Sequence, residues 1–228
     1  MKKLPLILLG TAMFALLAGT QDTKKRVGDP YPLTICPVSQ RALGANPVTV
    51  ILEDMPDEDM NGRELKFCCG GCQSRFLADA DANMAKLDEK IVKDQLKFYP
   101  DANCIVMPDD ELSDPRGPEA MEDKNVVYGN RLYRFCCKAC IRRFKKDPKP
   151  YRDALDKLVI EQQKASYPME VCVITGRPLG DNPQEFVVAN RLVKTCCGGC
   201  ASRVKNDPTA SIAKLDDARK AKSTKTSN

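Results

Sequence analysis

Twelve cysteines and no histidine in 228 residues set the chemistry open to this chain. Without an imidazole there can be no histidine general base, no Ser-His-Asp triad and no Cys-His dyad. Any transition-metal site must be built mainly from sulfur. The cysteines fall into three sets of four: Cys36, Cys68, Cys69 and Cys72; Cys104, Cys136, Cys137 and Cys140; Cys172, Cys196, Cys197 and Cys200. Successive first cysteines are 68 residues apart, and each lies five residues after the tyrosine of a Tyr-Pro pair (Tyr31-Pro32, Tyr99-Pro100, Tyr167-Pro168). Each later trio reads C-C-x-x-C. The first two copies place 31 residues between the lone cysteine and the pair, and the third places 23. A fixed period of this kind marks an internal repeat.

Four thiolates at ~2.3 Å from an ion make a closed tetrahedral zinc site. The trio suits that geometry, because residues three and four apart share a helical face, so that Cys72 lies beside both Cys69 and Cys68. A helix N-terminus there would favour thiolate over thiol. A unit of ~60 residues with few aromatics buries little apolar surface, so a metal or covalent staple is expected. Zinc is the default ion. Copper(I) also prefers thiolates and can use two or three of the four sulfurs. Met107 could add a thioether in copy two, although packing is the commoner use of such a methionine.

Two other chemistries fit the spacing. Disulfides within each copy would give a secreted interaction protein stapled without metal, with the pairing of adjacent cysteines disfavoured by strain. Cys69-Gly70-Gly71-Cys72, Cys137-Lys138-Ala139-Cys140 and Cys197-Gly198-Gly199-Cys200 also have the C-x-x-C form of thiol-disulfide oxidoreductases. No βαβ pattern surrounds them, and two sulfurs per copy would be left over.

The elements that must position these sulfurs can be read three times. A turn-rich stretch follows each first cysteine. Short apolar or alternating runs (Val48 to Leu52, Asn125 to Tyr128, Glu185 to Ala189) then lead through Gly/Asn turns into second runs ending at the trios, which predicts β-hairpins. A helix should begin around each trio, with Phe76, Phe144 and Val204 turned inward four residues beyond the last cysteine. Asp147-Pro148 and Asp207-Pro208 predict the starts of further helices. Met84, Leu87 and Ile91 give one of these an apolar stripe, and Tyr151, Leu155 and Leu158 another.

The remaining composition narrows the class. At 43% hydrophobic and 29% charged residues, the chain is neither collagen-like, nor a polytopic membrane protein, nor wholly disordered. A net charge of +5 with no concentrated basic face argues against nucleic-acid binding. Lys2 and Lys3 followed by the uncharged stretch Leu4 to Ala18 predict a signal peptide over 1–20, cleaved within Ala18 to Gln21. Thr20 stands where a lipoprotein signal would need cysteine, so no stable membrane anchor should remain, and the mature chain would be periplasmic or secreted. Acidic residues Glu53, Asp54, Asp57, Glu58 and Asp59, and Asp109, Asp110 and Glu111, read as solvated loops. The basic, polar segment 218–228 is expected to be a disordered tail.

The run Val127-Tyr128-Gly129-Asn130-Arg131-Leu132-Tyr133-Arg134-Phe135-Cys136-Cys137-Lys138-Ala139-Cys140, followed by Phe144, Asp147-Pro148 and Tyr151, resembles the YHS/TRASH group. These are treble-clef-like modules associated with heavy-metal sensing, trafficking and resistance. Copies one and three resemble it more weakly. The family's Phe-Cys-x-x-x-Cys pattern falls on Cys68 and Cys72, on Cys136 and Cys140, and, with Thr195 replacing Phe, on Cys196 and Cys200. Its first cysteine falls on Cys36, Cys104 and Cys172. Its remaining ligand position, near the opening turn, holds Ser39, Met107 or Thr175, and the extra Cys69, Cys137 or Cys197 could supply that bond instead. The resemblance implies an α+β chain of three tandem modules (31–98, 99–166 and 167–217), each a β-hairpin plus helix around a cysteine site. It further implies up to one thiolate-bound soft metal ion per repeat, no catalysis, and metal ions as partners; the sequence leaves room for a protein partner without naming one.

Overall fold

Three antiparallel hairpins recur where the sequence alternates. In the computed structural model, which describes residues 25–100, 103–112 and 124–226, β1 (Val48–Ile51) pairs with β2 (Glu64–Phe67), β3 (Asn125–Tyr128) with β4 (Arg131–Arg134), and β5 (Gln184–Val188) with β6 (Arg191–Thr195). The expected signal peptide lies outside the described residues. The second and third hairpins close through Gly129-Asn130 and Ala189-Asn190, all at positive φ between 49° and 63°. That is the backbone of a type I′ turn, whose twist matches the strands it joins. The first hairpin instead carries a longer connection containing a 3-10 turn at Glu58–Met60, with Met60 buried in the first apolar core.

Each hairpin feeds two helices: α1 (Gly70–Leu77) and α2 (Ala80–Gln95), α3 (Lys138–Lys146) and α4 (Pro148–Lys164), α5 (Gly198–Asn206) and α6 (Thr209–Thr226). Cys69, Cys137 and Cys197 occupy the N-cap positions of α1, α3 and α5. Phe76, Phe144 and Val204 are buried, and so is the whole Met84, Leu87, Ile91 stripe. In α4 the expected stripe shifts by one residue. Leu155 is buried but Leu158 is exposed, and Val159 takes the inward place. The tail expectation is corrected over 218–226, where α6 continues to Thr226. Tertiary contacts hold it: Arg219 stacks on Phe98 and donates to Gln163, and Lys222 donates to the Tyr167 carbonyl.

The repeats interlock. Three apolar cores form, one around each hairpin. Yet Val92 and Leu96, late in the first copy, pack against the second core. At the end of α2 the buried Gln95 side chain donates to Asn130 O and accepts from Leu132 N, both at 2.9 Å. Gln163, in the last turn of α4, repeats this with Asn190 O and Leu192 N, again at 2.9 Å. Position 27 is one period before Gln95, and there the Val27 backbone N–H serves Gly62 O at 2.8 Å. Asn130 and Asn190 carry the network onward. Asn130 Oδ1 accepts from Arg63, and Asn190 Oδ1 accepts from Arg131 at 2.7 Å. Asp29 closes it by accepting from Ala189 N, while its own N–H donates to Gly129 O, both at 2.8 Å. The hairpin turns of all three copies thus meet at one buried polar node, in which each buried amide finds a partner.

Gly28 is the tightest contact at this node. A Cβ there would stand 2.4 Å from Gly129 O, at a φ of +76°. Gly28→Ala is therefore expected to cost about 2 kcal/mol or more through clash and left-handed strain. Gly44→Ala, where a Cβ meets nothing within 4 Å, should stay within about 0.5 kcal/mol. Denaturant unfolding of the two variants makes the comparison.

Candidate metal centres

Each hairpin ends one or two residues before a cysteine pair, and each pair opens a helix. Cys68 follows β2, Cys69 caps α1, and Cys72 is the third residue of that helix, buried against the core. The lone cysteine comes from a separate turn. Cys36 N donates to Arg41 O at 2.8 Å, and Cys172 N to Arg177 O at 2.7 Å, just inside the isolated bridges Ile35–Ala42 and Val171–Pro178. The fold brings turn and helix together. The Sγ atoms of Cys36, Cys68 and Cys72 all lie within 4.8 Å of one another, as do those of Cys104, Cys136 and Cys140, and those of Cys172, Cys196 and Cys200.

Distances inside the clusters suit a shared ion. Cys68–Cys72 and Cys136–Cys140 are 3.6 Å apart and Cys196–Cys200 3.9 Å. Metal–sulfur bonds of ~2.3 Å put sulfurs about 3.8 Å apart in a tetrahedron and about 4.0 Å apart in a trigonal plane. All twelve cysteines are free thiols. The disulfide alternative is therefore not favoured, since a disulfide needs sulfurs ~2.05 Å apart.

The fourth thiols flank these clusters without joining the mutually close sets. Cys69 Sγ is 4.0 Å from Cys68 Sγ and Cys137 Sγ 3.6 Å from Cys140 Sγ, and Cys69, Cys137 and Cys197 are all exposed. Hydroxyls approach from the opening turns instead: Ser39 Oγ lies 3.3 Å from Cys68 Sγ, and Thr175 Oγ1 3.7 Å from Cys196 Sγ. Met107, the equivalent residue of copy two, is 41% exposed, and it reaches the lone cysteine of its centre through its backbone N–H. A residue read from sequence as a loop acid takes its place, with Asp110 Oδ2 3.2 Å from Cys136 Sγ. The available signal was the turn itself, which in copy two closes from Cys104 N to Asp110 O and is one residue longer than its counterparts.

The thiols are electrostatically unlike. Burial works against ionising Cys36, but the Ser39 hydroxyl and the backbone amides of Cys68, Ser39 and Val38 outweigh it and bring the pKa down to about 6. Cys172 likewise falls to about 6 against its burial, through the Thr175 hydroxyl and the amides of Thr175, Cys196 and Ile174. Cys72 goes the other way, to about 12, through its hydrogen bond to Cys68 and then its burial. Burial, then Cys197, takes Cys200 to about 12. The helix N-terminal amides of Cys72, Cys140 and Cys200 lower the exposed Cys69, Cys137 and Cys197 below the ordinary thiol range.

A pH dependence follows. Between pH 6 and 12 an ion entering the first centre meets an ionised Cys36 and must displace at least the proton of Cys72. Apparent affinity should rise with pH, about tenfold per unit for each proton released, and should fall more steeply below pH 6 where Cys36 is protonated too. Proton release on adding zinc in weakly buffered solution measures this. Release of no proton at pH 7 would contradict it.

The chain matches no family model, no curated protein and no solved structure. Among the described residues, no helix is long and apolar enough to cross a membrane.

Proposed function

We propose that this protein is a metal-binding protein of the cell envelope that holds one thiolate-bound soft ion at each of its three cysteine centres. In this reading it is an exported, non-catalytic YHS/TRASH-type protein that handles zinc or copper(I) in heavy-metal trafficking or resistance. The observation that carries the reading is the recurrence: a turn cysteine and the first and last cysteines of the distant trio converge to within 4.8 Å in each of the three copies. A single such cluster could be core packing, since free cysteine is often buried. Three clusters on the same turn-and-helix plan, each with one sulfur held toward the thiolate by hydrogen-bond donors, support metal binding as their shared role. Soft thiolates select zinc or copper(I) over magnesium or calcium. The signal-like segment 1–20 supports export, and cleavage would leave a chain beginning near Gln21.

The test is elemental analysis of protein purified from its native source, together with thiol counting in denaturant without reductant. The expected result is up to three zinc or copper ions per chain and twelve reactive thiols after chelation. Metal-free protein with thiols missing to oxidation would favour the disulfide-stapled alternative and sink the metal reading.

A further inference from the structure

The second centre is not a copy of the other two. In the first and third, a neutral hydroxyl stands beside the cysteine pair, at 3.3 Å for Ser39 and 3.7 Å for Thr175. In the second, Met107 stands where the hydroxyl would be and is exposed, and the longer opening turn brings the Asp110 carboxylate 3.2 Å from Cys136 Sγ. We propose that the second centre is a three-sulfur, one-oxygen site for a divalent ion, zinc above all, completed by Asp110, whereas the first and third are three-thiolate sites for copper(I). This rests on the metal-binding reading above and divides its cargo between the centres.

Charge and ligand hardness both point this way. The Cys136 thiol donates to Asp110 Oδ2 at 3.2 Å, so an ion that replaces this one shared proton would be held by both the sulfur and the carboxylate oxygen. A tetrahedral ion with sulfur at ~2.3 Å and oxygen at ~2.1 Å places those two atoms about 3.6 Å apart, so a small side-chain adjustment suffices. A carboxylate is a good ligand for zinc and a poor one for copper(I). Three thiolates and a carboxylate around a monovalent ion would leave three net negative charges, and a divalent ion leaves two. Copper(I) in a three-thiolate site also leaves two. The backbone supports the assignment, because Asp110 O accepts from Cys104 N at 2.8 Å and so ties the carboxylate's own residue to the lone ligand of the same centre.

The test titrates the full chain with zinc alone against a chromophoric chelator, and separately with copper(I). In the parent protein one zinc ion should bind at least about tenfold more tightly than the others, the loss expected for a missing ligand interaction at a metal site. Cys104→Ser should abolish that ion, placing it in the second centre. Asp110→Asn should weaken it at least tenfold without altering copper(I) capacity, while Asp110→His, which supplies another zinc ligand, should retain it. Asp109→Asn should change nothing. Three equivalent zinc sites in the parent, or an Asp110→Asn protein that keeps the tight ion, would overturn the proposal while leaving metal binding intact. Failure of the parent to bind either ion would remove the metal reading itself.

Discussion

Cys68→Ser should empty the first centre of its ion, whereas Cys69→Ser should leave it filled. Cys68 lies in a mutually close trio with Cys36 and Cys72, and its loss removes a ligand. Folding-coupled zinc sites bind with about 10–16 kcal/mol in total, so one of three or four ligands is worth a few kcal/mol and its removal about a hundredfold or more in affinity. Serine cannot replace the thiolate. Cys69 is exposed at the N-cap of α1 and stands 4.0 Å from Cys68 on the solvent side. Serine is a good N-cap residue, so the helix start should survive the exchange. Metal content per chain and thermal melting with and without a chelator read both effects. The reverse result, an ion lost with Cys69 and kept without Cys68, would place the C-x-x-C pair at the heart of the centre and defeat the trio. Equal loss from both variants would make the site a four-sulfur one.

Arg131→Ala is the change expected to do most damage away from sulfur. This guanidinium is 1% exposed, pairs with Asp156 in α4 of its own copy, and donates to Asn190 Oδ1 in the turn of the next. Arg63 with Asp88, and Arg191 with Asp216, repeat the pairing in the other copies. The pair is no simple gain. Burial pushes the Asp156 carboxyl above its ordinary range despite the neighbouring guanidinium, and Nη2 of Arg131 is buried without a hydrogen-bond partner. Asp29, Tyr133 and Asp156 in turn hold Arg131 more firmly protonated against its burial, in keeping with its contact to Asp156. Truncation leaves Asn190 Oδ1 without the Arg131 donor and Asp156 without its ion-pair partner. Breaking a buried pair costs about 3–5 kcal/mol, and the partial exposure of Asp156 puts this one near the lower end. For a chain of this size that is a fall of roughly 6–12 °C in melting temperature. Lys149→Ala, which breaks the exposed pair with Asp153, should stay within about 0.5 kcal/mol. If Arg131→Ala melts with the parent, the node is not what joins the repeats. If the node does join them, the second and third copies should unfold together.

Local chemistry was enough to locate much of this. The repeat period marked the hairpins, because alternation and Gly/Asn turns act within a few residues, and β3–β4 and β5–β6 close where those turns predict. The Met84, Leu87, Ile91 stripe is legible for the same reason. In α4 the pattern alone could not choose between Leu158 and Val159, because which residue turns inward depends on the helix's rotation against a neighbouring hairpin. Residues 218–226 look like a solvated basic tail until Phe98 and Tyr167, far away in sequence, supply surfaces that hold the helix.

The cysteine spacing by itself determined that this protein's chemistry belongs to sulfur, that it comes in three copies, and that each copy holds a lone cysteine and a trio. Which sulfurs meet was decided by tertiary structure. A lone cysteine 31 or 23 residues from its partners reaches them only because a hairpin folds back, and the same folding leaves Cys69, Cys137 and Cys197 as exposed helix caps beside the clusters. Asp110 is the sharpest case: in sequence it is one acid among three in a loop, and one extra residue in a turn aims it at Cys136. The polar node was equally hidden, since Val27, Gln95 and Gln163 share a period but not a residue type. What they share is a hydrogen bond to the next hairpin turn, and a backbone amide can make it as well as a glutamine side chain.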